Sequence, residues 1–202
     1  MSPRKVVLAS SNAGKLREFS ELLATAGMTL SRQSDFGIAP PPETGATFLE
    51  NALIKARNAA VLTGLPAIAD DSGIEVDALA GAPGVYSARY AGEDASDAAN
   101  LEKLLSALEA VPLSLRTARY RCVVVFVETA DDPRPLVGAG TWEGRLIDEQ
   151  RGNGGFGYDP SFVPLGETRT AAEMPAAEKH AQSHRGQALR AFLAQLPHRA
   201  GA

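Results

Sequence analysis

Asp70 and Asp71 stand side by side in Ala67-Ile68-Ala69-Asp70-Asp71-Ser72-Gly73. Carboxylates hold hard cations, accept protons and orient water. Small apolar residues lead in; a hydroxyl and a glycine follow. This pattern predicts a buried strand whose C-terminal end releases the acids into a turn. Successive side chains of an extended chain point to opposite faces. One carboxylate therefore faces a cleft while the other holds the turn. Buried carboxylates need a cation or hydrogen-bond donors. The same residues also fit an Asx-type turn with solvated acids, so the choice rests on the rest of the chain.

Three other stretches carry chemistry. Ser10-Ser11-Asn12-Ala13-Gly14-Lys15 lies between an apolar run and a helical pattern. A short polar loop there aims backbone N–H groups and a helix N-terminus at an anion, and Lys15 adds a positive charge. It is not a Walker sequence, and it also fits an ordinary strand–helix connection capped at Ser11 or Asn12. Gly152-Asn153-Gly154-Gly155-Phe156-Gly157-Tyr158-Asp159-Pro160 sets aromatics and an acid among glycines that permit positive φ or close approach. An aromatic on such a loop stacks on a flat ligand, which favours a binding loop over a plain hairpin connection. Lys179 and Ser183-His184-Arg185-Gly186 place donors near a helix start, where an anion or a carbonyl oxygen would sit. Glu43 lies in a proline-stiffened loop outside any helix. Glu50, by contrast, is the far end of a capping box from Thr47.

The elements that must position these groups alternate. Lys5 to Ser10 reads as a buried strand. Leu16, Phe19, Leu22, Leu23 and Ala26 recur at helical spacing up to Gly27. Ser34 to Thr47 is irregular. A helix with many alanines runs from Thr47 to about Thr63, stopped by Gly64 and Pro66. Ile74 to Leu79 predicts a short strand separate from the one before the acids, and Asp97 to Leu108 a helix. Arg119 to Glu128 and Leu136 to Trp142 read as antiparallel neighbours joined through Asp131-Asp132-Pro133. Tyr120 and Trp142 fit core or sheet-face positions. A second capping box, Thr170 to Glu173, predicts another helix start. The last helix presents Leu189, Phe192, Leu193 and Leu196 before Pro197.

Composition bounds the rest. The 202 residues are 45% hydrophobic and 22% charged, which suits a single domain over 1–202 with a core of useful size. A net charge of −4 gives no basic field for nucleic acid or membrane. The single cysteine, Cys122, falls in an apolar run and reads as a buried thiol; with no disulfide framework, a cytoplasmic location is expected. Three histidines without metal-ligand spacing argue against zinc. No serine occupies a nucleophile elbow. Phosphate loop, hard cation and flat ring together describe a nucleotide, and a carboxylate able to activate water adds phosphoryl hydrolysis.

These stretches, together with Thr47-Phe48-Leu49-Glu50-Asn51-Ala52 and Gly81-Ala82-Pro83-Gly84-Val85-Tyr86-Ser87-Ala88-Arg89, occur in an order that closely resembles the inosine/xanthosine triphosphate pyrophosphatases. The resemblance spans about residue 5 to 196. It implies an α/β fold with an elongated mixed β-sheet, flanking helices and two lobes around a substrate cleft. It implies a homodimer and Mg²⁺-dependent hydrolysis of ITP, dITP and XTP to monophosphate and pyrophosphate. Carried over by residue, Ser10, Ser11, Asn12, Ala13, Gly14 and Lys15 hold the triphosphate. Asp71 is the general base or a metal ligand orienting water, and Glu43 helps hold Mg²⁺. Ser72 contacts substrate, Phe156 stacks on the purine, and Gly157, Tyr158 and Asp159 shape the pocket. Lys179, His184 and Arg185 read the base. Pro40-Pro41-Pro42 departs from relatives that often carry an acid before this glutamate. The alternatives are a related pyrophosphatase for other modified nucleotides and a sensor that binds without cleaving.

Overall fold

A computed structural model describes residues 4–10, 13–24 and 26–196; the side chains at 13, 14, 17, 18, 21 and 22 are outside that description. The strands are β1 (Arg4–Leu8), β2 (Met28–Arg32), β3 (Ala67–Val76), β4 (Thr117–Val127), β5 (Leu136–Leu146) and β6 (Phe162–Pro164). The helices are α1 (Ala13–Ala24), α2 (Phe48–Thr63), α3 (Asp97–Ala107), α4 (Ala176–Gln182) and α5 (His184–Leu193). The strands form one six-stranded sheet in the order β2-β1-β3-β4-β5-β6. β1 runs parallel to both β2 and β3, with Val7 opposite Ala67, whereas β6 is antiparallel to β5. The sheet is therefore mixed and flanked by helices, as the resemblance implies.

The chain divides into two compact units. One comprises Met1–Asp71, Cys122–Gly140 and Gln187–Ala202; the other comprises Ser72–Arg121 and Thr141–Gly186. In the first unit the pleat of β1 sends Val6 and Leu8 to one cluster and Val7 and Ala9 to another. Val6 and Leu8 pack with Phe19 and Leu23 of α1 and Leu189 and Phe192 of α5. Val7 and Ala9 pack with Ala52, Ala56, Ala59 and Ala60 of α2. Both faces of the strand are covered, which is why it reads as a continuous apolar run. The alanine stripe lets α2 approach closely. At Gly138 of β5 a Cβ would collide with the carbonyl of Ala188, so only glycine admits α5 there. The second unit has its own core. Ile74, Val76, Leu101, Leu104, Leu108, Trp142 and Phe162 are its main members, with Tyr120 and Tyr158 among them.

The capping box of α2 forms as expected. Thr47 Oγ1 accepts from Glu50 N at 3.2 Å, and Glu50 Oε2 accepts from Thr47 N at 3.1 Å and Ala46 N at 2.6 Å. Gly64 closes the helix at φ 67°. Thr47 is exposed, so Thr47→Ala isolates the cap. It is expected to cost about 1 kcal/mol, read as a thermal midpoint about 3 °C lower. An unchanged midpoint would mean that water serves the orphan N–H equally well.

Two expectations are corrected. The acids do not sit in a turn: β3 continues without a break through Asp70, Asp71, Ser72 and Gly73 to Val76. Both carboxylates meet cationic donors from neighbouring helices, so no turn is required to solvate them. The pair Thr170–Glu173 does not open a helix. Glu173 Oε2 accepts from Thr170 N at 2.7 Å, but the Thr170 hydroxyl donates to Arg151 O, and the segment closes as a turn. Helix α4 begins only after Pro175. β2, unforeseen from the sequence, pairs in register with β1 from Arg4 opposite Met28 onward.

Candidate active site

The pleat of β3 decides where its acids go. Asp70 and Asp71 are 1% and 6% exposed. Asp70 meets α1: Lys15 Nζ lies 2.8 and 3.0 Å from its two oxygens. Cys122 Sγ is 4.0 Å from Asp70 Oδ2. Asp71 meets α2 instead. Lys55 Nζ donates to its Oδ1 at 2.7 Å and Asn51 Nδ2 to its Oδ2 at 3.3 Å. Asn51 and Lys55 are four residues apart, hence on one face of the helix. Lys55 Nζ also lies 2.7 Å from Glu43 Oε1, so one ammonium bridges the two carboxylates. The loop bearing Glu43 is fixed by Asn51 Oδ1, which accepts from Gly45 N at 2.8 Å.

The electrostatics follow from burial. Desolvation pushes the Asp71 carboxyl above its ordinary range, reinforced by Glu43 and Asp70 and opposed by Lys55. Burial alone would lower the Lys55 ammonium. The carboxylates of Asp71, Asp70 and Glu43 together outweigh it and carry Lys55 above its usual value. A carboxylate of raised proton affinity suits a proton acceptor. The donor set also fits a hard divalent cation, because Asp71 and Glu43 offer carboxylate oxygens on either side of a position already held by positive charge. No cage of three or more His, Cys, Asp or Glu ligands forms among the described residues.

The second unit holds a different cluster. Phe156 is 48% exposed on the glycine-rich loop. Lys179 Nζ and Arg185 Cζ lie 5.5 and 5.6 Å from its ring centroid, within cation–π range. Asp159, 3% exposed, is the hub. Its Oδ2 accepts from Phe156 N at 2.8 Å and Lys179 Nζ at 2.5 Å, and its Oδ1 from the Tyr120 hydroxyl at 3.2 Å. Gly155 has φ 72°, and a Cβ there would strike the Asp159 carboxylate and Lys179 Nζ. Gly157 N donates to Asp97 Oδ2 at 2.9 Å. The loop is thus tied on both flanks despite its glycines.

His184 and Arg185 open α5, whose start is capped by Ser183 Oγ accepting from Gly186 N at 3.2 Å. The His184 ring stacks on Tyr120 with centroids 4.7 Å apart and planes 8° from parallel. Arg185 Nη2 reaches Ser72 Oγ at 3.4 Å. Tyr158 turns inward: it is 4% exposed, its hydroxyl donates to Ser87 O at 2.7 Å, and burial holds its phenol well above the usual range. Of the expected phosphate loop, Ser10 follows β1, and Ala13, Gly14 and Lys15 open α1; Ser11 and Asn12 lie outside the described residues.

Sequence reasoning missed Asn51, Lys55, Asp97 and Tyr120. For the first two a signal existed. Both fall within the phase of the buried alanines of α2, where a polar residue must have a partner.

The profile of the Ham1 family matches residues 6–195. A dITP/XTP pyrophosphatase of Thioalkalivibrio sulfidiphilus is 60% identical over 192 residues, covering 95% of this chain and 98% of the relative. A dITP/XTP pyrophosphatase of Escherichia coli O157:H7 is 55% identical, covering 96% and 98%. Among solved structures, a HAM1 protein from Coxiella burnetii superposes with a TM-score of 0.91 at 50% identity, covering 96% of this chain and 99% of that one.

Proposed function

The chain belongs to the Ham1 family, and from that premise we propose that it hydrolyses the non-canonical purine triphosphates ITP, dITP and XTP to monophosphate and pyrophosphate. The observation that carries the proposal is the buried Asp71, held by Lys55 and Asn51 and sharing Lys55 with Glu43. This is a carboxylate of raised proton affinity in a cluster otherwise built to hold cations.

In this reading water attacks the α–β anhydride. Its proton passes to the Asp71 carboxylate as the new P–O bond forms, and the anhydride electron pair leaves with pyrophosphate. Asp71 and Glu43 would hold Mg²⁺, which when bound neutralises phosphoryl charge as a Lewis acid. The loop from Ser10 to Lys15, with Ser11, Asn12, Ala13 and Gly14, takes the triphosphate at the N-terminus of α1. Lys15 is held in place by Asp70 rather than swinging freely.

The base goes to the second cluster. Phe156 stacks on the purine, and Gly157, Tyr158 and Asp159 give the loop its shape. Lys179, His184 and Arg185 face the 6-oxo edge, and Ser72 supports Arg185. A 6-oxo group accepts from cationic donors, whereas adenine offers an amino donor there and leaves them unpaired. We read residues 1–202 as one functional domain acting in the cytoplasm as a homodimer. The net charge of −4 speaks against a nucleic-acid partner, and no described helix is long and apolar enough to cross a membrane.

A triphosphate panel with pyrophosphate detection tests the substrate class. With Mg²⁺, dITP and XTP are expected to exceed ATP, dUTP and dTTP by at least ~10²-fold in kcat/KM. A preference for dUTP or dTTP would replace the purine assignment.

A further inference from the structure

Tyr120 of β4 has every part of its side chain committed. One face carries the His184 ring at 4.7 Å and 8°. Phe162 meets it edge-on at 4.8 Å and 68°. Its hydroxyl donates to Asp159 Oδ1 at 3.2 Å. The Phe162 contact belongs to the core of the second unit. The other two lead to the base cluster. A parallel ring fixes the plane of the imidazole, and hence the plane in which both its nitrogens donate and accept. The hydroxyl fixes the plane of the Asp159 carboxylate, whose other oxygen holds Phe156 N and Lys179 Nζ.

We propose that Tyr120 is a positioning residue for base recognition: its ring sets the orientation of His184, and its hydroxyl aligns the carboxylate that carries the Phe156 loop. The inference rests on the reading of His184 and Phe156 as base contacts. Tyr120 itself is buried, 7% exposed, and acts through its two neighbours His184 and Asp159. Burial, with Asp159 beside it, keeps the phenol protonated and therefore a donor. The ring and the hydroxyl do separable work. The ring governs which base is accepted, through His184; the hydroxyl governs how firmly any base is held, through Asp159 and the loop.

The test compares Tyr120→Phe with Tyr120→Met, using ITP and ATP. Tyr120→Phe keeps the ring. It is expected to hold the ITP/ATP ratio of kcat/KM within about twofold while KM for ITP rises about threefold. Tyr120→Met fills the space without a ring plane. It is expected to lower the ITP/ATP ratio about tenfold, through KM more than kcat. A folded Tyr120→Met with an unchanged ratio overturns the proposal. So does a Tyr120→Phe that loses kcat at constant KM.

Should Tyr120→Met not fold, the His184 imidazole proton resonances decide. Upfield ring-current shifts in the wild type and in Tyr120→Phe are expected; unshifted resonances refute the stack. Absence of hydrolysis by the wild type would remove the proposed activity instead. The ratio of ITP to ATP dissociation constants then carries the same comparison.

Discussion

Replacing Asp71 by asparagine is expected to lower kcat for ITP by at least ~10²-fold, the scale of losing a general base. The substitution preserves shape and removes only the charge and the proton-accepting oxygen. Asn51 and Lys55 stay where α2 places them, so a large loss reports chemistry rather than collapse. Near-normal turnover would exclude Asp71 from the mechanism. Linkage adds a signature. The folded-state pKa of Asp71 lies above the ordinary value of 3.8, so the folded protein binds this proton more tightly than the unfolded chain. The group's contribution to stability is full below pH 3.8 and is lost as pH rises through the folded value. At neutral pH the buried charge is a cost, located at the group expected to act.

The second large effect is expected at Lys55. Its ammonium is the shared partner of Asp71 and Glu43, 2.7 Å from each. Lys55→Met keeps the length and apolar stem but leaves two carboxylates facing each other, one of them buried. Breaking such a pair from one side typically costs about 3–5 kcal/mol. The loss should be large at neutral pH and small at pH low enough to protonate the carboxylates. Urea midpoints at acid and neutral pH measure it. Mg²⁺ should return part of the lost stability in the variant, because a divalent cation replaces the missing charge. Equal midpoints for wild type and variant at neutral pH would show that the bridge is dispensable.

Much of this architecture is legible in the residues. The cap at Thr47, the alanine stripe of α2 and the apolar run of β1 each specify local structure through a local rule. The opposed directions of Asp70 and Asp71 follow from the pleat alone, and the structure has them so. What hides from sequence is partnership at a distance. Lys55 is 16 residues from Asp71 along the chain, and Lys15 is 55 from Asp70. Without those cations in view, adjacent acids before Ser-Gly look like a turn, whereas with them the strand runs on. β2 escaped because Met28-Thr29-Leu30-Ser31-Arg32 is short and only Met28 is buried, so its apolar signal is weak. Thr170 and Glu173 mimic a cap because the spacing is right. The Thr170 hydroxyl, however, is spent on Arg151 O. Tyr120 fits a core aromatic from its neighbours in sequence, and only its contacts with His184 and Asp159 set it apart.

The stoichiometry of products from ITP tests the central claim most directly. With purified protein, Mg²⁺ and quantitative phosphorus NMR, one pyrophosphate should appear for every IMP, with no orthophosphate. Orthophosphate accompanied by IDP, or tight binding of ITP without any cleavage, would contradict it.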